Sequence, residues 1–75
     1  MGSPYACAYV GIYHWWAYLG KSKNVFNAVK YLSQKNSRKT NRTKAIRFSG
    51  KACDAKEALG CHAVAEILWH DYSKE

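Results

Sequence analysis

Most of the side chains with chemistry to offer are cations. Ten Lys or Arg residues (Lys21, Lys23, Lys30, Lys35, Arg38, Lys39, Arg42, Lys44, Arg47 and Lys51) lie in residues 1–53 with no acid among them. Residues 54–75 carry Lys56 and Lys74 against Asp54, Glu57, Glu66, Asp71 and Glu75. The charge therefore runs +10 and then −3, for a net of +7. A surface of one sign attracts a polyanion, because each phosphate it neutralises releases condensed counterion. The same charge also suits an acidic protein partner, or plain solubility. Phosphodiester hydrolysis is poorly served, since it needs charge stabilisation at phosphorus and usually a carboxylate-held metal, and every carboxylate lies from Asp54 onward.

Two smaller groups stand apart. His62, Glu66 and His70 follow at i, i+4 and i+8, which on a helix places three potential ligands along one stripe. Helical turns are about 5.4 Å apart, so the outer two lie roughly 11 Å apart and cannot share one ion without a second chain. The alternative is an ordinary polar flank. In a strand the adjacent Trp15 and Trp16 face opposite sides, so that one enters the core and the other is free to stack on a base, unless both are packed.

The elements that must position these residues are read from periodicity. Residues 4–19 are aromatic, β-branched or small, with Gly11 near the middle, and predict two strands joined by a tight turn and closed by Gly20. Val25, Phe26, Val29 and Leu32 recur at helical spacing, with Ser22 or Asn24 as cap. Residues 33–43 hold nothing apolar and read as a solvated connection, and residues 45–48 as a third strand ended by Ser49 and Gly50. Asp54 caps a last helix from Ala55 to Tyr72, whose buried stripe is Ala58, Cys61, Ala65, Leu68 and Tyr72. The expected fold class is α+β, a small three-stranded antiparallel sheet with two packed helices in the order β-β-α-β-α.

Seventy-five residues make one domain spanning 1–75, with any site on the surface of its one core. At 48% apolar and 15% aromatic residues the chain is too apolar for a disordered basic tail. Cys7, Cys53 and Cys61 are odd in number without a CxxC pair, which predicts neither a disulfide framework nor a standard zinc site, and hence a reducing, cytoplasmic setting. Residues 5–19 are dense in Tyr and Trp, lack a preceding basic region and are too short to span, so no membrane contact is expected.

Tyr18-Leu19-Gly20, followed by Ser22, Asn24 and the run VFNAVKYL, resembles the second half of the GIY-YIG nuclease signature. Ala58-Leu59 is similar to the pair that opens that family's second helix. The resemblance covers roughly residues 5–70 and implies a GIY-YIG-like sheet, with Tyr18 at the end of its second strand. It departs from the pattern at the groups that do the chemistry. Ala28 stands in place of the phosphate-stabilising arginine, His62 in place of the metal-binding glutamate, and Tyr31 in place of a histidine. Gly11-Ile12-Tyr13 matches the first tripeptide, but Tyr13 lies closer to Tyr18 than the family spacing, which would put Cys7 or Ala8 in the tyrosine's place.

These readings converge on a non-catalytic nucleic-acid-binding module with a degenerate GIY-YIG-like fold. It grips the DNA or RNA backbone through Lys21, Ser22, Lys23, Lys35, Arg38, Lys39, Arg42, Lys44 and Arg47. The runner-up is a small viral or mobile-element protein that inhibits a host nuclease or defence complex through an acidic protein surface. The third reading is a weak phosphodiesterase using Tyr18 and His62. No cofactor is expected, Mg²⁺ entering only with the third.

Overall fold

The computed structural model describes residues 3–20 and 27–73, and no strand occurs among them. Four helices follow one another: α1 (Pro4–Leu19), α2 (Asn27–Lys35), α3 (Arg38–Asp54) and α4 (Ala58–Ser73). The β-β-α-β-α expectation is overturned, and with it the GIY-YIG resemblance, because that fold needs a sheet. Lys21, Ser22, Lys23, Asn24, Val25 and Phe26 lie outside the described residues.

The segment expected as two strands is a single helix. Ser3 caps it, its hydroxyl accepting from the Ala6 amide, and Pro4 opens the first turn with its φ already set. Gly20, at φ 80°, ends it in the left-handed conformation that glycine adopts without cost. Tyr and Trp suggested a strand because aromatics suit pleated surfaces, but their spacing here is helical. Tyr5, Tyr9, Tyr13 and Trp16 form a ladder with ring centroids 4.8, 6.0 and 6.2 Å apart. Ala8, Gly11 and Trp15 point inward.

α3 takes up the expected third strand and most of the expected solvated connection. Ser37 caps it by accepting from the Thr40 amide (3.2 Å). Its buried seam is Asn41, Ala45, Ser49 and Ala52, at i, i+4, i+8 and i+11. Small residues let both neighbours come close. Gly11 of α1 sits against Ser49 and Ala45, and Gly60 of α4 sits against Ala52, Cys53 and Ser49. α3 thus packs against both α1 and α4 through this seam, and α1 and α4 also touch each other.

Asp54 ends α3 and does not cap α4, which opens after a turn in which Lys56 takes φ 65°. The Glu57 carbonyl accepts from the Gly60 and Cys61 amides (3.0 and 3.2 Å). A disulfide joins Cys53 to Cys61 across this turn, and Cys7 is a free thiol. The odd cysteine count thus hid one bridge and one spare, and the expected reducing compartment loses its basis. No helix among the described residues is long and apolar enough to cross a membrane.

The stripe expected to be buried on α4 faces outward. Leu68 is 61% exposed and Tyr72 75%, while Gly60, Ala63 and Ile67 are buried instead. α4 is apolar on two sides, and the side with a glycine and an alanine is the one that can approach α3 closely. The core gathers Trp15, Ala45 and Ile67, with Trp16, Tyr18 and Leu19 packed on its edge.

Candidate nucleic-acid interface

The described cations separate into those the fold uses and those it leaves facing solvent. Arg38 Nε donates to the Tyr18 carbonyl (3.2 Å), and its guanidinium lies over the Tyr18 ring, 4.9 Å from the centroid. Arg42 is ion-paired to Asp71. These two arginines clamp α3 to the end of α1 and to α4. Lys35 Nζ donates to the Tyr31 hydroxyl (2.8 Å) one turn away, which holds the ammonium above its ordinary pKa.

Lys39, Lys44, Arg47 and Lys51 are exposed on α3. Lys39, Thr40, Thr43, Lys44 and Arg47 line one surface depression. Thr43 Oγ1 donates back to the Lys39 carbonyl (3.0 Å), leaving its lone pairs outward. Between Arg38 and Cys53 the helix contains no acid. Cations fill the first turn, where the helix dipole is already positive, and Arg47 stands one turn from both Lys44 and Lys51. Like charges at such spacings destabilise a helix by about 0.2–0.5 kcal/mol per pair. An anion laid along this face removes that repulsion.

Behind the cationic face lies a buried polar junction. Asn41 Nδ2 donates to the Leu32 carbonyl (3.1 Å), so Asn41 Oδ1 faces His14 and accepts from His14 Nδ1 (3.0 Å) and Asn36 Nδ2 (3.3 Å). Nδ1 of His14 therefore carries a proton, and the ring stacks on Phe48 at 5.9 Å. One amide side chain thus fixes α1, α2 and α3 relative to each other. The polarity of residues 33–43 hid this junction, since Asn41 is among the largest fully buried side chains.

Burial pushes the His14 imidazole below its ordinary pKa; the Asn41 bond opposes the shift and the nearby Lys44 charge adds to it. With the folded-state pKa lowered, the unfolded chain binds the proton first as pH falls below about 6.5, so stability is full above that pH and is lost beneath it. We predict that the Tm of the protein falls between pH 7.5 and 5. His14→Gln should melt lower at neutral pH but along a flatter profile. Parallel profiles for the two proteins would assign the acid loss to other groups.

The other candidate residues do not assemble a reactive centre. Tyr18 stacks on Trp15 (5.2 Å) and meets the edge of His70 (6.1 Å), and no contact joins it to His62 among the described residues. Glu66 accepts from Trp15 Nε1 (3.2 Å), and His70 packs edge-on to Trp15 (5.2 Å). His62 is exposed, and no group of three His, Cys, Asp or Glu among the described residues is placed to hold a metal ion. Trp15 is 1% exposed and Trp16 is half-buried beside Tyr13, so neither is the freely exposed indole that a strand would have offered. Ala28 lies exposed on α2. In comparisons with known proteins, no family model, no curated protein and no solved structure matches the chain.

Proposed function

We propose that this chain binds the sugar–phosphate backbone of nucleic acid through the exposed face of α3, without cleaving it and without reading its sequence. One observation carries this reading: Lys39, Lys44 and Arg47 share a single depression on an acid-free helix face, with the Thr40 and Thr43 hydroxyls between them. Contacts from such side chains to phosphate oxygens set register and orientation but carry no base information. Lys51, also exposed, extends the charge of this face by a further turn.

The test is a fluorescence-anisotropy titration of unrelated DNA duplexes and RNA hairpins at several salt concentrations. Affinity should be similar across sequences and fall linearly in log K against log salt. Replacing Lys39, Lys44 and Arg47 together by Ala should lower the slope by about 2.7, at about 0.9 for each phosphate contact on a duplex. The melting temperature should be almost unchanged, as is usual for exposed side chains. An unchanged slope in the triple variant sinks the reading. Binding of one acidic protein that survives about half-molar salt would replace it with the inhibitor reading, since screened phosphate contacts do not survive there.

A further inference from the structure

His14 lies behind the cationic face of α3. It is 5% exposed, and its ring meets two residues of that helix: Nδ1 donates to Asn41 (3.0 Å), and the ring stacks on Phe48 (5.9 Å). Lys44 stands between these two in sequence, three residues after Asn41 and four before Phe48, so all three share one side of α3. Lys44 also lines the depression with Lys39 and Arg47. One lysine thus has its root beside the imidazole and its place among the cations of the phosphate face.

The ring can take up a second proton without losing its partner. Nδ1 already carries one, so the next goes to Nε2 and leaves the bond to Asn41 in place. The imidazolium is then a cation next to Lys44. Burial holds the imidazole below its ordinary pKa, the Asn41 bond opposes this, and the Lys44 charge lowers it further. A phosphate on Lys44 cancels the last contribution and brings a negative charge toward the ring. Linkage makes the effect reciprocal: the factor that a bound polyanion adds to the proton affinity of His14 is the factor that the proton adds to the affinity for polyanion.

Among the described residues, the other elements packed on α1 turn neutral groups toward this junction. From α2 come the Leu32 carbonyl and the Asn36 amide, which reach it through Asn41, while Lys35 is tied to Tyr31. Glu66 and His70 of α4 face Trp15, the next residue along α1.

We propose, resting on the α3 reading, that His14 is a proton switch for the phosphate face: a polyanion bound at Lys44 draws a proton onto His14, and mild acid therefore strengthens binding. The switch acts as pH falls below about 6.5, the ordinary histidine value, because the free protein holds its imidazole below it. Nucleic acid and the proton then favour the same state of the junction.

NMR titration of the His14 ring in the full chain, with and without a saturating short DNA duplex, tests this. In the free protein, Lys44→Ala, an exposed substitution, should raise the His14 pKa by about 0.3–0.7, the size that a partly screened charge pair gives. Duplex should raise the wild-type value by at least as much and the Lys44→Ala value by less. Calorimetry near pH 5.5 in buffers of different ionisation enthalpy should show proton uptake on binding. Between pH 7.5 and 5.5, wild type should gain affinity by about two- to fivefold more than His14→Gln. His62 and His70 are present in both proteins, so the difference belongs to His14. A His14 pKa indifferent to Lys44→Ala, or to bound duplex, overturns the inference and leaves the α3 reading standing, as does an equal response to duplex in Lys44→Ala and wild type. Absence of duplex binding at every pH defeats the α3 reading, and this inference with it.

Discussion

Gly11→Ala and Gly60→Ala are expected to destabilise the protein strongly, while Gly50→Ala stabilises it. All three glycines are helical, and in a free helix alanine is better than glycine by about 1 kcal/mol. Packing reverses the sign at two of them. A Cβ on Gly11 would meet the Ser49 hydroxyl, with the Ser49 amide nitrogen at 2.8 Å and the Ala45 carbonyl at 3.2 Å. A Cβ on Gly60 would lie 2.5 Å from the Ala52 Cβ, 2.7 Å from the Cys53 nitrogen and 2.8 Å from the Ser49 carbonyl. Most of these atoms are backbone and cannot rotate away, so α1 or α4 must move off α3. Overpacking of this kind costs typically about 1–3 kcal/mol and sometimes more. A domain of this size has only about 4–11 kcal/mol in total. At Gly50 no atom lies within 4 Å, and the intrinsic preference should emerge as a gain of about 0.5–1 kcal/mol. Urea titrations of the three variants decide the matter. Ser49 separates the two kinds of obstacle, because its hydroxyl is buried without a hydrogen-bond partner among the described residues. Ser49→Ala removes that hydroxyl and should rescue Gly11→Ala only in part, since the amide nitrogen stays. Full rescue would show that the side chain alone set the spacing, and a stabilised Gly11→Ala would refute the close approach altogether.

Reducing the Cys53–Cys61 bridge should lower the melting temperature by roughly 10–20 °C. The cysteines are eight positions apart, and closing so short a loop removes about 2.5 kcal/mol of unfolded-chain entropy. In a domain of this length each kcal/mol corresponds to roughly 4–8 °C. The loop it closes includes Lys56 at φ 65°, a conformation costing a non-glycine residue about 1–2 kcal/mol, so the bridge holds a turn that the local chain does not favour. Melts with and without reductant give the shift. The double variant Cys53→Ser with Cys61→Ser should start low and ignore reductant. Alkylation of the denatured, unreduced protein should label Cys7 alone. Labelling of all three cysteines, or a melt indifferent to reductant, would remove the bridge from the stability of the fold.

Two of the four helices, α2 and α4, and the charge layout were read from the sequence, whereas α1 and α3 were expected as strands and a solvated connection. Val29 marks the buried side of α2, and the acid-free cationic stretch is a matter of composition alone. Local caps were legible as well: Ser3-Pro4 and Ser37 both announce helices, and the recurrence of Tyr5, Tyr9 and Tyr13 is a helical period. Aromatic composition outweighed that period in the strand expectation, although period reports geometry and composition only preference.

What the tertiary structure alone decided is which side of each helix is inside. Sequence patterning equates apolar with buried, and α3 defeats that rule, since two of its four seam residues are Asn41 and Ser49. Their places follow from partners distant in sequence: Asn41 from His14 and the Leu32 carbonyl, and Ser49 from the two glycines that pass beside it. α4 defeats the rule the other way. Its longest apolar stripe faces water because Gly60 and Ala63 permit a closer approach to α3 than Leu68 or Tyr72 could. Burial in so small a protein is governed by how near two backbones can come, and that distance belongs to a pair of helices, not to the sequence of either one.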